Sequence, residues 1–366
     1  MGNSFYVFCN LWEQVLSIEI TLICDVTIFS YTFKQYRKNS MQTLVLWYNL
    51  SEVVCLEYEV REFTFKSSNQ INEIYGKMFI PVDIEVNGIV QICHGMCEYI
   101  DKYINFAKFL MNNGFIVCGH DQIGHGNSII SQDNLGYFAE NNGYKFLIED
   151  LKCVTDLVKK EFPDLPIFLF GHSMGSFVSR CYIAKYGKCI NGAILCGTIG
   201  PQPLAYTGIK LANLMIDKKG GHYRSKKLYN VALDFANIKF LPVNTRFDWI
   251  CSDEEEVSKH IADTKSNFLF TVSGFKDLFY LVNLCNSAKL IKTIPKDLPI
   301  FFISGKLDPI GENSKGVKKA VNLYKESGIK DVKCRIYPGD RHELINEKNK
   351  EEVYNDVLEW INKNLK

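Results

Sequence analysis

Gly171-His172-Ser173-Met174-Gly175 is a G-x-S-x-G, a serine held between two glycines. Before it, Pro166 to Phe170 is an apolar run with no polar alternation, the pattern of a strand buried on both faces. After it, Met174 to Tyr186 places Phe177, Val178, Cys181, Tyr182 and Ala184 on one helical stripe, and Gly187 follows as a stop. A serine between such a strand and such a helix must turn sharply. Gly171 and Gly175 lack the Cβ atoms that would collide there, so the Ser173 hydroxyl is expected to stand clear of the sheet. The helix N-terminus behind it offers unpaired N–H groups and a positive dipole end to a developing oxyanion. A chance Gly-Ser-Gly turn is the alternative, and the strand–turn–helix context outweighs it. Ser173 reads as a nucleophile.

A serine nucleophile needs a base and a group that orients the base. The elements around Ser173 say where to look. Val60–Lys66 and Ile71–Ile80 alternate and suggest an antiparallel hairpin. Strands are then expected at Gly88–Cys93, Phe115–Cys118, Ala193–Cys196, Pro299–Ser304 and Val332–Tyr337. Helices are expected at Tyr103–Asn112, Tyr144–Glu161, up to about Glu326, and at Glu351–Leu365. This alternation predicts an α/β protein with a mostly parallel, doubly wound sheet. The C-terminal ends of parallel strands gather at one edge, so the loops carrying His94, Asp121, Ser173, Asp308 and His342 should converge. Asp308 is preferred over Asp340 as the orienting carboxylate, because Asp340 shares a short loop with His342. Taken alone, an Asp-Pro in a loop is a turn starter; its place after a late strand, downstream of the serine, gives it the other role.

Between Leu204 and Ile294 the rhythm breaks. Helical patterns such as Ile209–Ile216 and Leu278–Leu290 appear there, with many aromatics and little strand character. The chain is therefore divided into an N-terminal extension (1–56), a core in two parts (57–200 and 295–366) and a mainly helical cap inserted between them (201–294). Within the extension, Val15 to Phe33 is nearly long enough to span a bilayer, but Glu19 and Asp25 interrupt it. An added apolar helix or an irregular extension is the preferred expectation, with membrane association through 15–33 as the alternative. Lys and Arg total 42 against 41 Asp and Glu, a net charge of +1, and no basic run stands out. That balance argues against nucleic acid as a partner. The 13 cysteines are odd in number and form no C-x-x-C, which fits buried, reduced thiols in a cytoplasmic protein. Neither they nor the seven histidines have metal-ligand spacing. No metal and no cofactor are expected.

The chain order Ser173, Asp308, His342 is that of α/β-hydrolases, and five segments make the likeness closer. His94-Gly95-Met96-Cys97-Glu98, His120 to Ser128, Gly171 to Gly175, Gly305-Lys306-Leu307-Asp308-Pro309 and Gly339-Asp340-Arg341-His342-Glu343 resemble the monoacylglycerol lipase and lysophospholipase branch, also catalogued with serine aminopeptidases. Phe247 to Asp253 resembles cap segments of bacterial members. The resemblance runs from about residue 60 to the end. It implies an oxyanion hole from the backbone N–H groups of Met96 and Met174. It departs from the family at Cys97, where Gly or Ala is usual, which bears on local pocket shape. His125 is read as a loop-stabilising residue rather than a base, because its strand precedes the serine.

The resemblance implies carboxylic-ester hydrolysis of a single-chain lipid, a monoacylglycerol or lysophospholipid, through an acyl-enzyme. Leu204, Ile209, Leu211, Leu214, Met215, Phe268, Leu269, Phe270, Phe275, Leu278, Phe279, Tyr280 and Leu284 supply apolar surface for an acyl tunnel. Each of them could equally glue the cap to the core. A general carboxylesterase and a serine aminopeptidase are the alternatives, the second weakened because no acidic cluster for a free amine is evident. A catalytically silent binder of apolar ligands is the reading from a different class. Transient contact with a membrane surface, through cap or extension, is expected of a protein that takes lipid esters.

Overall fold

The computed structural model describes residues 58–365 and, in the extension, the backbone of three strands. Those strands are β1 (Tyr6–Trp12), β2 (Val15–Cys24) and β3 (Thr27–Lys34), paired antiparallel in sequence order. The expected helix over 15–33 is thus replaced by β2 and β3. The physical reason is visible in the period: Ser17, Glu19 and Thr21 alternate with Ile18, Ile20 and Leu22, and β3 is rich in β-branched and aromatic residues. Among the described residues no helix is long and apolar enough to cross a membrane.

Residues 56–366 form a separate unit built on an eight-stranded sheet. Its strands are β4 (Tyr58–Lys66), β5 (Glu73–Pro81), β6 (Gly88–Cys93), β7 (Phe115–His120), β8 (Ile167–His172), β9 (Gly192–Cys196), β10 (Ile300–Gly305) and β11 (Val332–Tyr337). Their order is β11-β10-β9-β8-β6-β7-β5-β4. Every pair from β7 to β11 is parallel, while β5 runs antiparallel to both β4 and β7. This is the mostly parallel, doubly wound sheet expected, with the hairpin at one edge. Strands β6 to β10 are buried at every residue, which is why their sequences show unbroken apolar runs. Edge strand β11 buries only its end residues Val332 and Tyr337 fully and leaves Cys334 exposed, so the expectation that all thiols are buried fails there; Cys153 and Cys189 are also partly exposed.

Helices α1 (Ile104–Asn112) and α10 (Lys350–Lys363) cover one face of the sheet; α2 (Gly143–Glu161), α3 (Met174–Tyr186) and α9 (Lys315–Glu326) cover the other. Between β9 and β10 the chain leaves the sheet and forms α4 (Leu204–Lys219), α5 (Lys226–Leu233), α6 (Glu254–Ala262), α7 (Val272–Cys285) and α8 (Ala288–Ile291). A 3-10 segment, Asp234–Phe240, follows α5. Helix α7 packs on α3, α2 and α4. One expected helix, Leu278–Leu290, is in fact two. Asn286 ends α7 by donating its side-chain amide back to the Val282 carbonyl, and Ser287 precedes the first residue of α8.

Candidate active site

Ser173 lies between the last residue of β8 and the first of α3, with φ 52° and ψ −122°. That backbone is strained for any residue with a Cβ, and it lifts the hydroxyl out of the buried strand. His342 Nε2 is 2.8 Å from Ser173 Oγ, and His342 Nδ1 is 3.0 Å from Asp308 Oδ1. Asp308 Oδ1 also accepts from the Ile310 N–H at 2.9 Å. The three groups come from the ends of β8, β10 and β11, as strand-end convergence requires. Asp340 does not enter this chain. Its carbonyl accepts from the Leu307 N–H, so it shapes the loop before Asp308, and burial raises its carboxyl to about 6.

The turn after β6 faces Ser173. A Cβ on Gly95 would lie 3.0 Å from the Ser173 Cβ, which places Met96 beside the serine. Met174 is the first residue of α3, so its N–H has no carbonyl of its own helix to bond. Both Met96 and Met174 line the cavity above Ser173. His94 holds the turn: its Nδ1 is 2.8 Å from the Gly95 carbonyl and its Nε2 accepts from the Gln122 N–H at 2.9 Å. Cys97 takes a left-handed φ of 59°, where glycine would be at ease. Its thiol donates to the Phe268 carbonyl.

Asp121 and His125 stay outside the Ser173 cluster. Asp121 accepts from the N–H groups of Ile100 and Asn127 and ties their loops together. His125 is buried among Phe138, Phe268 and Phe270, with Nδ1 at the Ile123 carbonyl. Sequence reasoning noted Glu98 and His172 without giving either a partner. Glu98 accepts from the Gly95 N–H (2.6 Å) and the Tyr103 hydroxyl (2.5 Å), and lies 3.0 Å from His172 Nδ1. His172 Nε2 reaches the His342 carbonyl at 3.3 Å. One buried pair thus joins the turn facing Ser173 to the backbone of His342. Burial alone would favour neutral His172, but the Glu98 carboxylate outweighs it and lifts the imidazole to about 8. Burial likewise opposes the Glu98 charge, and His172 with Lys102 and Tyr103 holds it well below the usual carboxylate range.

The sign of that shift makes a prediction. A raised folded-state pKa means that the folded chain holds the His172 proton more tightly than the unfolded one. The stabilisation is full below the ordinary value of 6.5 and is lost as pH rises through about 8. Unfolding free energy should therefore fall by on the order of 1–2 kcal/mol between pH 6 and 9 from this group. His172→Gln should lack that increment in denaturant titrations across the range. An identical pH slope in the variant would remove the imidazolium from the account.

Phe247 to Asp253 braces the His342 loop. The Ile250 carbonyl accepts from the N–H groups of His342 (3.1 Å) and Glu343 (2.7 Å), and Trp249 lies against the His342 ring. Above the cluster opens a cavity of about 990 Å³, at the upper end of the range for small-molecule sites. Leu204, Phe268, Leu269, Leu278 and Phe279 line it as expected; Ile209, Leu211, Leu214, Met215, Phe270, Phe275, Tyr280 and Leu284 do not. Leu214 is 58% exposed on the outer face of α4. The reason is close packing: α4 turns Ala205, Gly208 and Ala212 inward, and a Cβ on Gly208 would meet Phe279 at 2.7 Å. Ile209 is buried beside them, while Leu204, Tyr206 and Leu214 are exposed. Walls that sequence reasoning missed come from Tyr229, Val231, Leu233 and Phe235. Glu98, Glu312, Glu343 and His260 form a polar part of the lining, so three carboxylates reach the cavity where the sequence suggested no acidic cluster.

A family model described as serine aminopeptidase, S33 (Hydrolase_4) matches residues 84–349. Monoglyceride lipase from Mus musculus is 26% identical over 275 residues, 75% of this chain and 80% of the mouse protein. A probable lysophospholipase L2 from Haemophilus influenzae is 24% identical over 285 residues, 76% of this chain and 83% of its own. Among solved structures, a thermostable carboxyl esterase from Bacillus coagulans in complex with glycerol superposes with a TM-score of 0.79 at 29% identity. It covers 84% of this chain and 99% of the esterase.

Proposed function

Because the chain belongs to the serine aminopeptidase S33 family of α/β-hydrolases, we propose that it hydrolyses carboxylic esters of single-chain lipids through an acyl-enzyme on Ser173. The observation that carries this reading is the His342 ring, bonded to Ser173 Oγ on one side and Asp308 on the other, beneath a largely apolar cavity. Ser173 Oγ attacks the ester carbonyl as its proton passes to His342 Nε2. Asp308 keeps the other ring proton on Nδ1 and stabilises the imidazolium. The N–H groups of Met96 and Met174 receive the oxyanion. The tetrahedral adduct collapses, and His342 gives its proton to the departing alcohol. Water, deprotonated by His342, then releases the fatty acid and restores Ser173.

The names of the mouse and Haemophilus relatives support monoacylglycerols and lysophospholipids as the substrate class. A passing contact with a lipid surface belongs to the same reading. Leu204, Tyr206, Leu214 and Val231 stand exposed on α4 and α5, and vesicle co-sedimentation checks it. The second reading, an aminopeptidase, has one observation in its favour: Glu98 and Glu343 reach the cavity wall and could attract a substrate ammonium. Glu98, however, is already engaged by His172, Tyr103 and Gly95.

A hydrolysis panel separates these readings: monoacylglycerols, lysophosphatidylcholine, nitrophenyl esters of rising length, and aminoacyl-nitroanilides. Each methylene buried in the cavity adds about 0.8 kcal/mol of binding, so kcat/KM should rise several-fold per two carbons until the cavity fills. The rise is smaller wherever that binding is not expressed in the transition state. Leu278→Asp, which places a charge in the α7 wall, should depress laurate esters at least tenfold more than acetate esters. A flat chain-length profile in the unmodified protein would remove the lipid reading.

A further inference from the structure

Arg180 is among the largest fully buried side chains of the molecule, 1% exposed, on the helix that begins behind Ser173. Among the described residues no carboxylate pairs with it. A buried guanidinium without a counter-ion is costly unless its donors are matched, and here all five are. Nε donates to the Tyr324 hydroxyl (3.0 Å). Nη1 donates to Thr198 Oγ1 (3.3 Å) and the Ile199 carbonyl (2.7 Å). Nη2 donates to the Cys285 carbonyl (2.7 Å) and Asn286 Oδ1 (2.8 Å).

These acceptors have a common position in the chain. Thr198 and Ile199 follow β9, where the chain leaves the sheet for the helical insertion; Cys285 and Asn286 end α7, near where it returns. The two crossings are also tied directly, since the Asn286 side-chain amide donates to the carbonyls of Gly200 (3.0 Å) and Val282 (2.9 Å). Both crossings continue into the cavity wall. Ile199 lines it on the outgoing side, and Leu278, Phe279 and Val282 line it on the returning side.

We infer that Arg180 is a positioning residue that clamps the neck of the insertion and so fixes the acyl wall of the cavity, setting selection by chain length. Arg180 touches neither Ser173 nor His342 by any of its five bonds. Its planar fork reaches two backbone segments at once, which a lysine ammonium on a flexible stem would not reproduce. Fixing Ile199 against Val282 defines how far an acyl chain can extend, whereas a short ester needs only the region around Ser173.

The inference rests on the ester-hydrolase reading for its kinetic arm alone. Full-length Arg180→Met, Arg180→Lys, Asn286→Ala and, as a control, Tyr324→Phe are compared by amide hydrogen exchange and on nitrophenyl acetate and laurate. The first three should speed exchange in residues 198–205 and 278–286 at least tenfold, with residues 167–175 unchanged. They should raise KM for laurate about tenfold or more, with kcat/KM for acetate within about twofold. Tyr324→Phe, which leaves both crossings bonded, should do neither. Should Arg180→Met fail to fold, Asn286→Ala carries the same comparison. Unchanged neck exchange, or equal losses on acetate and laurate, would overturn the clamp. If the unmodified protein cleaves no ester, the exchange arm still decides the neck, and only the functional reading falls.

Discussion

Ser173→Ala, His342→Ala and Asp308→Asn should each lower ester turnover by about three orders of magnitude or more, with melting temperature little changed. The three losses have different origins. Without Ser173 Oγ no acyl-enzyme forms, and a fluorophosphonate probe should no longer label the protein. Without His342 the hydroxyl keeps its proton, so labelling should slow along with turnover. Asp308→Asn is a finer test than Asp308→Ala. Asp308 Oδ1 also accepts from the Ile310 N–H, and an amide oxygen can keep that bond and spare the loop. The amide can no longer supply the charge that stabilises the His342 cation. The second carboxylate oxygen, Oδ2, is buried with no side-chain or backbone partner among the described residues, so this carboxylate has little structural duty besides. Near-normal activity in Asp308→Asn would return the acid role to open question. Combining the substitutions should cost little beyond the worst single one, because the three groups act as a unit.

The second large effect is steric. A Cβ on Gly175 would lie 2.0 Å from the Cys93 carbonyl oxygen and 2.4 Å from that of His94. Both are backbone atoms at the end of β6, so no side-chain rotation relieves the clash. Gly175→Ala must push α3 and the Ser173 turn away from the strand end that carries Gly95 and Met96. A displacement of about 1 Å in a reacting group can cost on the order of a hundredfold in rate. The expected result is a drop in kcat of at least that size, with a lowered melting temperature and weakened fluorophosphonate labelling. Gly175→Ala with unchanged kcat would mean that the turn after β6 yields freely and does not help hold the oxyanion.

The local elements around the site were legible in the sequence because each depends on residues adjacent in the chain. Buried parallel strands β6 and β8 to β10 are short apolar runs, and the two glycines around Ser173 announce a turn that only small neighbours allow. Chain order and strand ends then suggested Asp308 and His342 as companions of Ser173; His342 lies 2.8 Å from Ser173 Oγ and 3.0 Å from Asp308 Oδ1. Residues 15–34 carry a different signal, the alternation of Ser17, Glu19 and Thr21 with Ile18, Ile20 and Leu22, which within an apolar stretch of nearly membrane-spanning length reads as readily as a helix.

What tertiary structure alone decided is which surfaces meet. Apolarity says that Leu214 favours burial, but the approach of α4 to α7 is set by Gly208 and Phe279, and a helix that packs so closely turns its small residues inward. Leu214 is left in solvent for that reason. Glu98 and His172 are separated by 74 residues, and neither has a local pattern that names the other; the parallel pairing of β6 with β8 brings them together. Arg180 is the extreme case. In sequence it is one basic residue on an apolar helix, where an exposed charge is the ordinary expectation. Its burial is tolerable only because three other segments deliver five oxygen acceptors to one point, and no pattern within a helix can encode that meeting.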